Sequence, residues 1–261
     1  MDLETATTPV PDGAGGFTAE IPDGWQQGRG AYGGIVLALL VRAMEGAPDA
    51  RGRPLRTLSA ALPAPVLVGP ARLRVETLRV GTGVSTLSAA LLQDGAVCAH
   101  GIGVFGRDRE QDAWSVVPRR DVPHWREIQA VRGLPMGPPC TSHFEWRPAG
   151  ALPFQGGEPE AIGWIRPIEP GSRRDAGYVT SLADTWWPGH FGRMTRPVPS
   201  ATVSFYLQFA ANLDGLDPDA PLLHVGRSEH LAGGYAHERR ELWGEDGRLV
   251  AINQQTLALL G

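Results

Sequence analysis

The stretch VETLRVGTGVSTLSAALLQDGAVCAHGIGVFG, residues 75–106, has the pattern of an antiparallel meander. Two mostly apolar runs flank Asp94-Gly95, a dipeptide whose left-handed backbone preference suits a two-residue hairpin. Just upstream, residues 71–80 largely alternate apolar and charged side chains, as a half-buried strand does. The segment therefore predicts consecutive strands that pair with their neighbours.

A buried helix is predicted before the meander. Residues 33–46, GGIVLALLVRAMEG, are apolar almost throughout and stop at Gly46, a common helix terminator. Because such a helix has no polar face, other elements must wrap it. A helix followed by an antiparallel sheet predicts the α+β fold class.

The second half of the chain repeats this order. A short helix is predicted at residues 177–187, and strands follow at residues 200–211, 222–230, 235–243 and 248–260. Identities separated by 152 residues are Asp94 with Asp246, Gly95 with Gly247, Gly81 with Gly233, and Ala99 with Ala251. Identities at a constant offset indicate an internal duplication.

The duplication predicts two modules with an irregular segment between them. Residues 1–106 form the N-terminal module, of which residues 1–16 are a Gly/Pro-rich tail, and residues 158–261 form the C-terminal module. Residues 107–157 are predicted as a linker region because their prolines prevent a long helix or a central strand. One helical turn is expected near residues 125–131.

Charge and cysteine content disfavour several protein classes. The chain has 24 basic residues and 28 acidic residues, a net charge of −4, which disfavours a nucleic-acid-binding protein. Its two cysteines are too few for a disulfide scaffold or a structural zinc site, so no metal is expected. No apolar run has the length or place of a signal peptide or a membrane span, so a cytoplasmic protein without membrane insertion is expected.

Several stretches together resemble the acyl-CoA thioesterase II family. They are the meander of residues 75–106 and, in the second half, SLADTWWPG, SATVSFYLQFA and RELWGEDGRLVAINQQTLAL. The resemblance implies a double hot-dog fold, in which two curled antiparallel sheets each wrap a central helix. It also implies hydrolysis of a fatty or related acyl thioester, of CoA or of acyl-carrier protein, by activated water and without a cofactor.

The resemblance also implies the catalytic residues. In this family an acid at the start of the second helix, a threonine on the following strand and a glutamine on the last strand orient the attacking water. Asp184, Thr202 and Gln255 match these positions, with Gln254 as a one-residue alternative for the glutamine. Such a carboxylate can accept the proton of the attacking water.

The start of the first helix is expected to bind the substrate. A helix N-terminus presents backbone N–H groups that can stabilise an oxyanion, and Gly33-Gly34 allows close approach of a ligand. Tyr32 precedes this pair, and Trp186-Trp187 are candidate walls of a tunnel for the acyl chain. Candidate phosphate contacts, interpreted mostly as solvated surface groups, are Arg173, Arg174, Arg193, Arg196, Arg239 and Arg240.

Purely structural roles compete with these assignments. Asp184 can act as a helix cap. Thr202 alternates with Ser204 and Tyr206 on the more polar face of its strand, where threonines are normally structural. Gln255 falls in an apolar stripe, so it needs hydrogen-bond partners whether its role is functional or structural.

Two other functions stay open. The pair Asp184 and His190 can run acid–base chemistry on an enoyl or hydroxyacyl thioester, as in a hot-dog hydratase or dehydratase. A non-catalytic acyl-binding protein is the third reading, since a fold does not fix a function. Association into a homo-oligomer is expected because exposed sheet edges favour pairing.

Overall fold

The computed structural model describes residues 1–134, 137–210 and 212–260. Ala211, the last residue of a predicted strand, lies outside the described residues, as do residues 135–136 of the predicted linker and the C-terminal Gly261.

The described residues form the helices α1 (Leu3–Ala6), α2 (Gly33–Glu45), α3 (Ala176–Ala183) and α4 (His190–Arg193). The strands are β1 (Val10–Pro11), β2 (Phe17–Ile21), β3 (Gln26–Gln27), β4 (Gly30–Ala31), β5 (Leu55–Ala61), β6 (Gly69–Val80), β7 (Val84–Gln93), β8 (Ala96–Gly106), β9 (Val131–Arg132), β10 (Phe144–Pro148), β11 (Glu160–Pro167), β12 (Ser200–Phe209), β13 (Leu222–Ala232), β14 (Tyr235–Trp243) and β15 (Leu249–Leu259). Turns of 3-10 helix lie at Pro48–Ala50, Trp125–Glu127 and Pro139–His143.

Thirteen of these strands form one sheet in the order β1-β2-β6-β7-β8-β5-β12-β15-β14-β13-β11-β10-β9, while β3 pairs with β4. The expectation of two separate curled sheets is wrong. Strands β5 and β12 pair antiparallel, with Leu58 opposite Leu207 and Ser59 opposite Tyr206. This pairing satisfies backbone N–H and C=O groups that two separate sheets would leave unpaired at their edges.

The sheet is symmetric about the β5–β12 junction. Moving outward, the strands of one half are β5, β8, β7, β6 and β2, and those of the other half are β12, β15, β14, β13 and β11. The identities at the 152-residue offset occupy equivalent places in the two halves, because Asp94-Gly95 joins β7 to β8 and Asp246-Gly247 joins β14 to β15. The two halves thus share the strand order that a duplicated unit would have.

Helices α2 and α3 pack against each other and against the sheet. They run in opposite directions. Near the end of α2, the guanidinium of Arg42 lies 3.0 Å from the carboxylate of Asp175, which precedes α3. At the opposite end, Gly33 begins α2 beside the carboxylate of Asp184, which follows α3. The absence of a side chain at Gly177 permits the close approach, because a Cβ there would lie 2.6 Å from Nε of Arg42.

Helix α3 is shorter than the sequence predicts. Asp175 caps its first turn by accepting a hydrogen bond of 2.9 Å from the backbone N–H of Tyr178. The helix ends at Ala183, and Asp184 is its C-terminal capping residue. The expectation that Asp184 lies at the start of the second helix is therefore wrong, and the N–H groups near its carboxylate belong to α2.

The segment predicted as an N-terminal tail is docked on the body of the protein. Leu3 and Ala6 of α1 are buried, and the guanidinium of Arg42 donates to the backbone oxygen of Glu4 at 3.1 Å. None of the described helices is long and apolar enough to cross a membrane.

The predicted linker region also contributes to the fold. It supplies the expected helical turn at Trp125–Glu127 and adds β9 and β10 to the sheet. Its side chains Val117 and Val122 cover an apolar cluster that contains Trp164 and Trp243 and is separate from the main core. The prolines of this segment therefore do not prevent it from packing.

Candidate active site

Three residues that are distant in the sequence meet in one hydrogen-bonded chain. The hydroxyl of Thr202 on β12 donates to Oε1 of Gln255 on β15 at 2.9 Å. The amide nitrogen of Gln255 donates to Oδ1 of Asp184 at 2.9 Å. Asp184 and Gln255 are buried, at 7% and 3% exposed, whereas Thr202 is half-buried, so the hydrogen-bonded chain runs from β12 into the interior.

A β-bulge turns Thr202 toward the other two residues. The alternation of β12 predicts that Thr202 shares a face with Ser204, but the strand register shifts between these two residues. Thr202 consequently pairs with the buried Leu257, whereas Ser204 pairs with Thr256. A bulge inserts one extra residue and reverses the facing of the side chains beyond it. The prediction that Thr202 lies on the polar face is therefore wrong.

The structure places Gln255, not Gln254, beside Asp184. Gln255 is buried, whereas Gln254 is exposed on the opposite face of β15. The amide nitrogen of Gln255 also donates to Oδ1 of Asn253 at 2.9 Å, and Nδ2 of Asn253 donates to the backbone oxygen of Tyr206 at 2.9 Å. Sequence reasoning missed Asn253, although its position two residues before Gln255 puts it on the same strand face.

The second carboxylate oxygen of Asp184 faces the start of α2. A Cβ atom on Gly33 would lie 2.5 Å from Oδ2 of Asp184 and 3.6 Å from Cδ2 of the half-buried Leu62. Only a residue without a side chain allows the carboxylate to occupy this place. The partial positive charge of a helix N-terminus favours an anion here.

The other predicted substrate contacts have packing roles in the structure. Tyr32 is 1% exposed, and its hydroxyl donates to the backbone oxygen of Ser181 at 2.9 Å, which ties α2 to α3. A Cβ on Gly34 would overlap the ring of Tyr32. Trp186 and Trp187 are 1% and 7% exposed, with ring centroids 4.6 Å apart. They belong to the hydrophobic core in this structure.

Two charged residues near Asp184 are buried, which the sequence analysis did not predict. Arg240, interpreted from the sequence as a candidate phosphate contact, is 1% exposed, and Glu238 is 3% exposed. Both side chains lie on the inner face of β14, since Ala236 and Leu242 on the same alternation are also buried. This two-residue alternation was visible in YAHERRELW and could have identified them.

Burial and its neighbours set the charge state of Asp184. Desolvation raises the pKa of the Asp184 carboxyl above its usual range. Arg240, Gln255 and the backbone N–H of Gly34 oppose that rise because they favour the charged form. A carboxylate with a raised pKa is a stronger base than an ordinary aspartate, and it can accept a proton from water.

Two family models match most of the chain. The model of the acyl-CoA thioesterase N-terminal domain matches residues 21–106, and the model of the acyl-CoA thioesterase C-terminal domain matches residues 115–259. The chain belongs to the acyl-CoA thioesterase family. The expected family and the expected class of enzyme, a thioester hydrolase, are confirmed.

Solved structures share the fold over nearly the full length. A conserved protein of unknown function with a hot dog fold from Alicyclobacillus acidocaldarius is 24% identical, with a TM-score of 0.92 over 99% of this chain and 98% of that chain. A tesB protein from Mycobacterium avium subs paratuberculosis is 16% identical, with a TM-score of 0.80 over 99% and 98%. The acyl-CoA thioesterase II TesB2 from Mycobacterium marinum is 15% identical, with a TM-score of 0.77 over 99% and 98%. No curated protein matches this chain. The hot-dog fold is therefore confirmed, in the form of one continuous sheet.

His190, the second member of the alternative Asp/His pair, lies on the short helix α4. It is 3% exposed, and neither ring nitrogen has a hydrogen-bond partner among the described residues. Desolvation lowers the pKa of His190, so the imidazole is neutral at neutral pH. Within the described part of the chain, no hydrogen bond joins it to Asp184, and this geometry does not favour the acid–base pair.

Proposed function

We propose that this member of the acyl-CoA thioesterase family hydrolyses acyl-CoA by direct attack of water, with Asp184 as the general base. The hydrogen-bonded chain from Thr202 through Gln255 to Asp184 carries this proposal. It fixes Oδ1 of the carboxylate and leaves Oδ2 directed at the start of α2. Because Oδ1 already accepts from Gln255, we assign the proton of the attacking water to Oδ2.

The reaction needs two proton transfers, one to Asp184 and one from it, and one exchange of bonds at the carbonyl carbon. Asp184 accepts a proton from water while the water oxygen bonds to the thioester carbonyl carbon, which gives a tetrahedral oxyanion. The backbone N–H of Gly33 is the proposed donor to that oxyanion, since the N–H of Gly34 favours the charged form of Asp184. The carbon–sulfur bond then breaks, and the thiolate leaves with the proton that Asp184 returns. Thr202 and Gln255 hold the base and the water in line.

The apolar residues near this group are the proposed contacts of the acyl chain. Trp186 and Trp187 follow Asp184 closely in the chain, and Leu62 lies half-buried beside Gly33. The carrier is CoA or an acyl-carrier protein. The homo-oligomer stays a prediction that sedimentation can test; the outermost strands of the sheet, β1 and β9, have two residues each and offer little backbone for pairing.

A panel of acyl-CoA substrates tests the proposal. We expect CoA release from saturated acyl-CoA of at least one chain length, and loss of that release in Asp184→Asn. Binding of acyl-CoA without release by the wild-type chain would instead indicate an acyl-binding protein. Hydration of an enoyl-CoA that disappears in His190→Ala would indicate the hydratase. A wild-type rate of CoA release in Asp184→Asn would contradict the proposed base.

A further inference from the structure

Arg240 contacts both the end of α3 and the carboxylate that follows it. Its terminal nitrogen NH1 donates to the backbone oxygen of Ala183 at 3.0 Å and lies 3.7 Å from Oδ1 of Asp184. The carbonyl groups in the last turn of a helix have no partners within that helix. Arg240 donates a hydrogen bond to one of these carbonyl groups, that of Ala183, and so fixes the backbone immediately before Asp184.

Glu238 fixes the guanidinium of Arg240. Oε1 of Glu238 accepts a hydrogen bond of 2.9 Å from Nε of Arg240. Its other oxygen accepts from the backbone N–H of Gly189 at 2.9 Å and from the hydroxyl of Ser228 at 3.1 Å. Because Gly189 and Ser228 hold the carboxylate of Glu238, that carboxylate in turn fixes the orientation of the Arg240 side chain.

We propose that Arg240 is a positioning residue for hydrolysis, which holds the Asp184 carboxylate charged and directed at the start of α2 while Glu238 holds Arg240 in place. This inference rests on the proposed function of Asp184. It assigns to Arg240 an effect on the reaction through Asp184, without contact with the substrate.

The charges around Asp184 make its ionisation sensitive to Arg240. Among the described residues, Arg240 is the cation within 4.0 Å of this carboxylate. Burial raises the pKa of Tyr32 and raises that of Cys140 to about 12, so both neighbours are neutral near pH 7. Glu238 adds a second negative charge that raises the pKa of Asp184. Arg240 is therefore the charge that opposes both burial and Glu238.

The surrounding histidines do not replace this positive charge. His190 and His224 are both buried, and desolvation lowers the pKa of each, well below the usual value for His224. Both are therefore neutral at neutral pH. Without the charge of Arg240, the buried Asp184 carboxyl faces the carboxylate of Glu238 and no cation, so Asp184 is expected to hold its proton up to a higher pH.

A purely structural ion pair would behave differently. Buried ion pairs often contribute little to stability, since desolvation offsets their attraction, and a structural role would change only the melting temperature. A positioning role must also change the pH at which the enzyme becomes active. The pair of Arg42 and Asp175 at the other end of the same helices provides a control with a similarly buried arginine.

The test is the pH profile of kcat/KM for acyl-CoA hydrolysis. In Arg240→Gln we expect the acid limb to move roughly one to three pH units upward, because an opposite charge at this distance is lost. Arg240→Lys keeps the positive charge but loses the planar guanidinium with its several N–H donors. We therefore expect the acid limb of the profile near its wild-type pH and kcat about ten- to a hundredfold lower. In Arg42→Gln we expect the limb at the wild-type pH.

A folded Arg240→Gln variant with the wild-type limb would overturn the inference. If that variant does not fold, Arg240→Lys decides: a wild-type kcat in it would equally overturn the inference. Asp184→Asn separates this result from a failure of the proposed function. If Asp184→Asn is inactive and Arg240→Gln keeps the wild-type profile, only the role of Arg240 is wrong, whereas an active Asp184→Asn means that the base itself was misassigned.

Discussion

The two ends of the α2–α3 pair contain similar charged groups in different arrangements. At one end, Oδ1 of Asp184 accepts from the amide of Gln255, and the other oxygen faces Gly33. At the other end, both oxygens of Asp175 accept from Arg42, and Oδ1 also caps α3. Both oxygens of Asp175 accept side-chain hydrogen bonds, whereas Oδ2 of Asp184 accepts none among the described residues and is the oxygen proposed for catalysis.

The strands opposite the two ends explain the difference. Gln255 and Asn253 on β15 face Asp184, and the residues 152 positions earlier, on β8, are Gly103 and Gly101. A Cβ on Gly103 would meet side chains of the core, with Met44 at 3.1 Å. One half of the sheet thus has side-chain amides hydrogen-bonded to the proposed base, and the equivalent positions of the other half are closely packed glycines. Among the described residues, the hydrogen-bonded group of Thr202, Gln255 and Asp184 therefore occurs in one half of the fold and has no counterpart at the equivalent positions of the other.

The largest expected effect separates the two aspartates. We expect Asp184→Asn to lower kcat/KM for acyl-CoA by roughly 10²- to 10⁴-fold, the usual contribution of a general base. Asp175→Asn is the matched control at the other end. It should weaken the cap and the ion pair, and so lower the melting temperature, while kcat/KM stays near the wild-type value. Equal loss of activity in both variants would mean that the two ends are not functionally different.

Neighbouring glycines at the start of α2 are expected to respond in different ways. A methyl group at Gly33 would occupy the place of Oδ2 of Asp184, so Gly33→Ala should displace the carboxylate and lower kcat by about tenfold to a hundredfold. A methyl group at Gly34 meets the ring of Tyr32, so Gly34→Ala should act mainly on stability. Thermal melts and steady-state kinetics on both variants test this. Two variants with the same ratio of lost activity to lost stability would contradict it.

The glutamines of β15 provide a smaller contrast. Gln255→Ala removes the group that links Thr202 to Asp184, and we expect about a tenfold loss of kcat, as for one misoriented hydrogen bond of about 1.4 kcal/mol. Gln254→Ala changes an exposed side chain and should leave kcat within about twofold. A large loss of kcat in Gln254→Ala, with Gln255→Ala near the wild-type value, would contradict the assignment of Gln255 to the site.

Local sequence patterns predicted much of the fold. The apolar run of residues 33–46 predicted α2 almost to its last residue, and Asp94-Gly95 marked the hairpin between β7 and β8. The joined sheet was not predictable in this way, because the pairing of β5 with β12 depends on how two distant modules dock. Nothing in the periodicity of either strand reports its partner.

The candidate site was predicted through the resemblance, and local patterns misplaced parts of it. A bulge between Thr202 and Ser204 leaves no signature in the alternation, which therefore put Thr202 on the wrong face. The resemblance implied that Asp184 lies at a helix start, whereas α3 ends at Ala183 and Asp184 is its C-terminal capping residue. Arg240 was interpreted as a surface phosphate contact because its charge was considered without the two-residue alternation of YAHERRELW, which puts it on the inner face of β14 with Glu238.

The smallest expected effect lies at the end of the helix pair without the hydrogen-bonded amides. Burial and the charge of Asp175 raise the pKa of the half-buried Glu45 from its usual value of 4.5 to about 7. A carboxyl whose pKa is raised by folding binds its proton more tightly in the folded state, so the protein loses stability as the pH rises from about 4.5 to 7.

Glu45→Gln removes this loss of stability. We expect the variant to be more stable than the wild type at pH 8, by about 1 kcal/mol after allowance for the solvent that still reaches the group. The difference should vanish near pH 4, and kcat/KM should not change, because Glu45 lies at the opposite end of α2 from Asp184. Urea unfolding at both pH values measures it, and a stability difference independent of pH would show that Glu45 is already ionised without penalty.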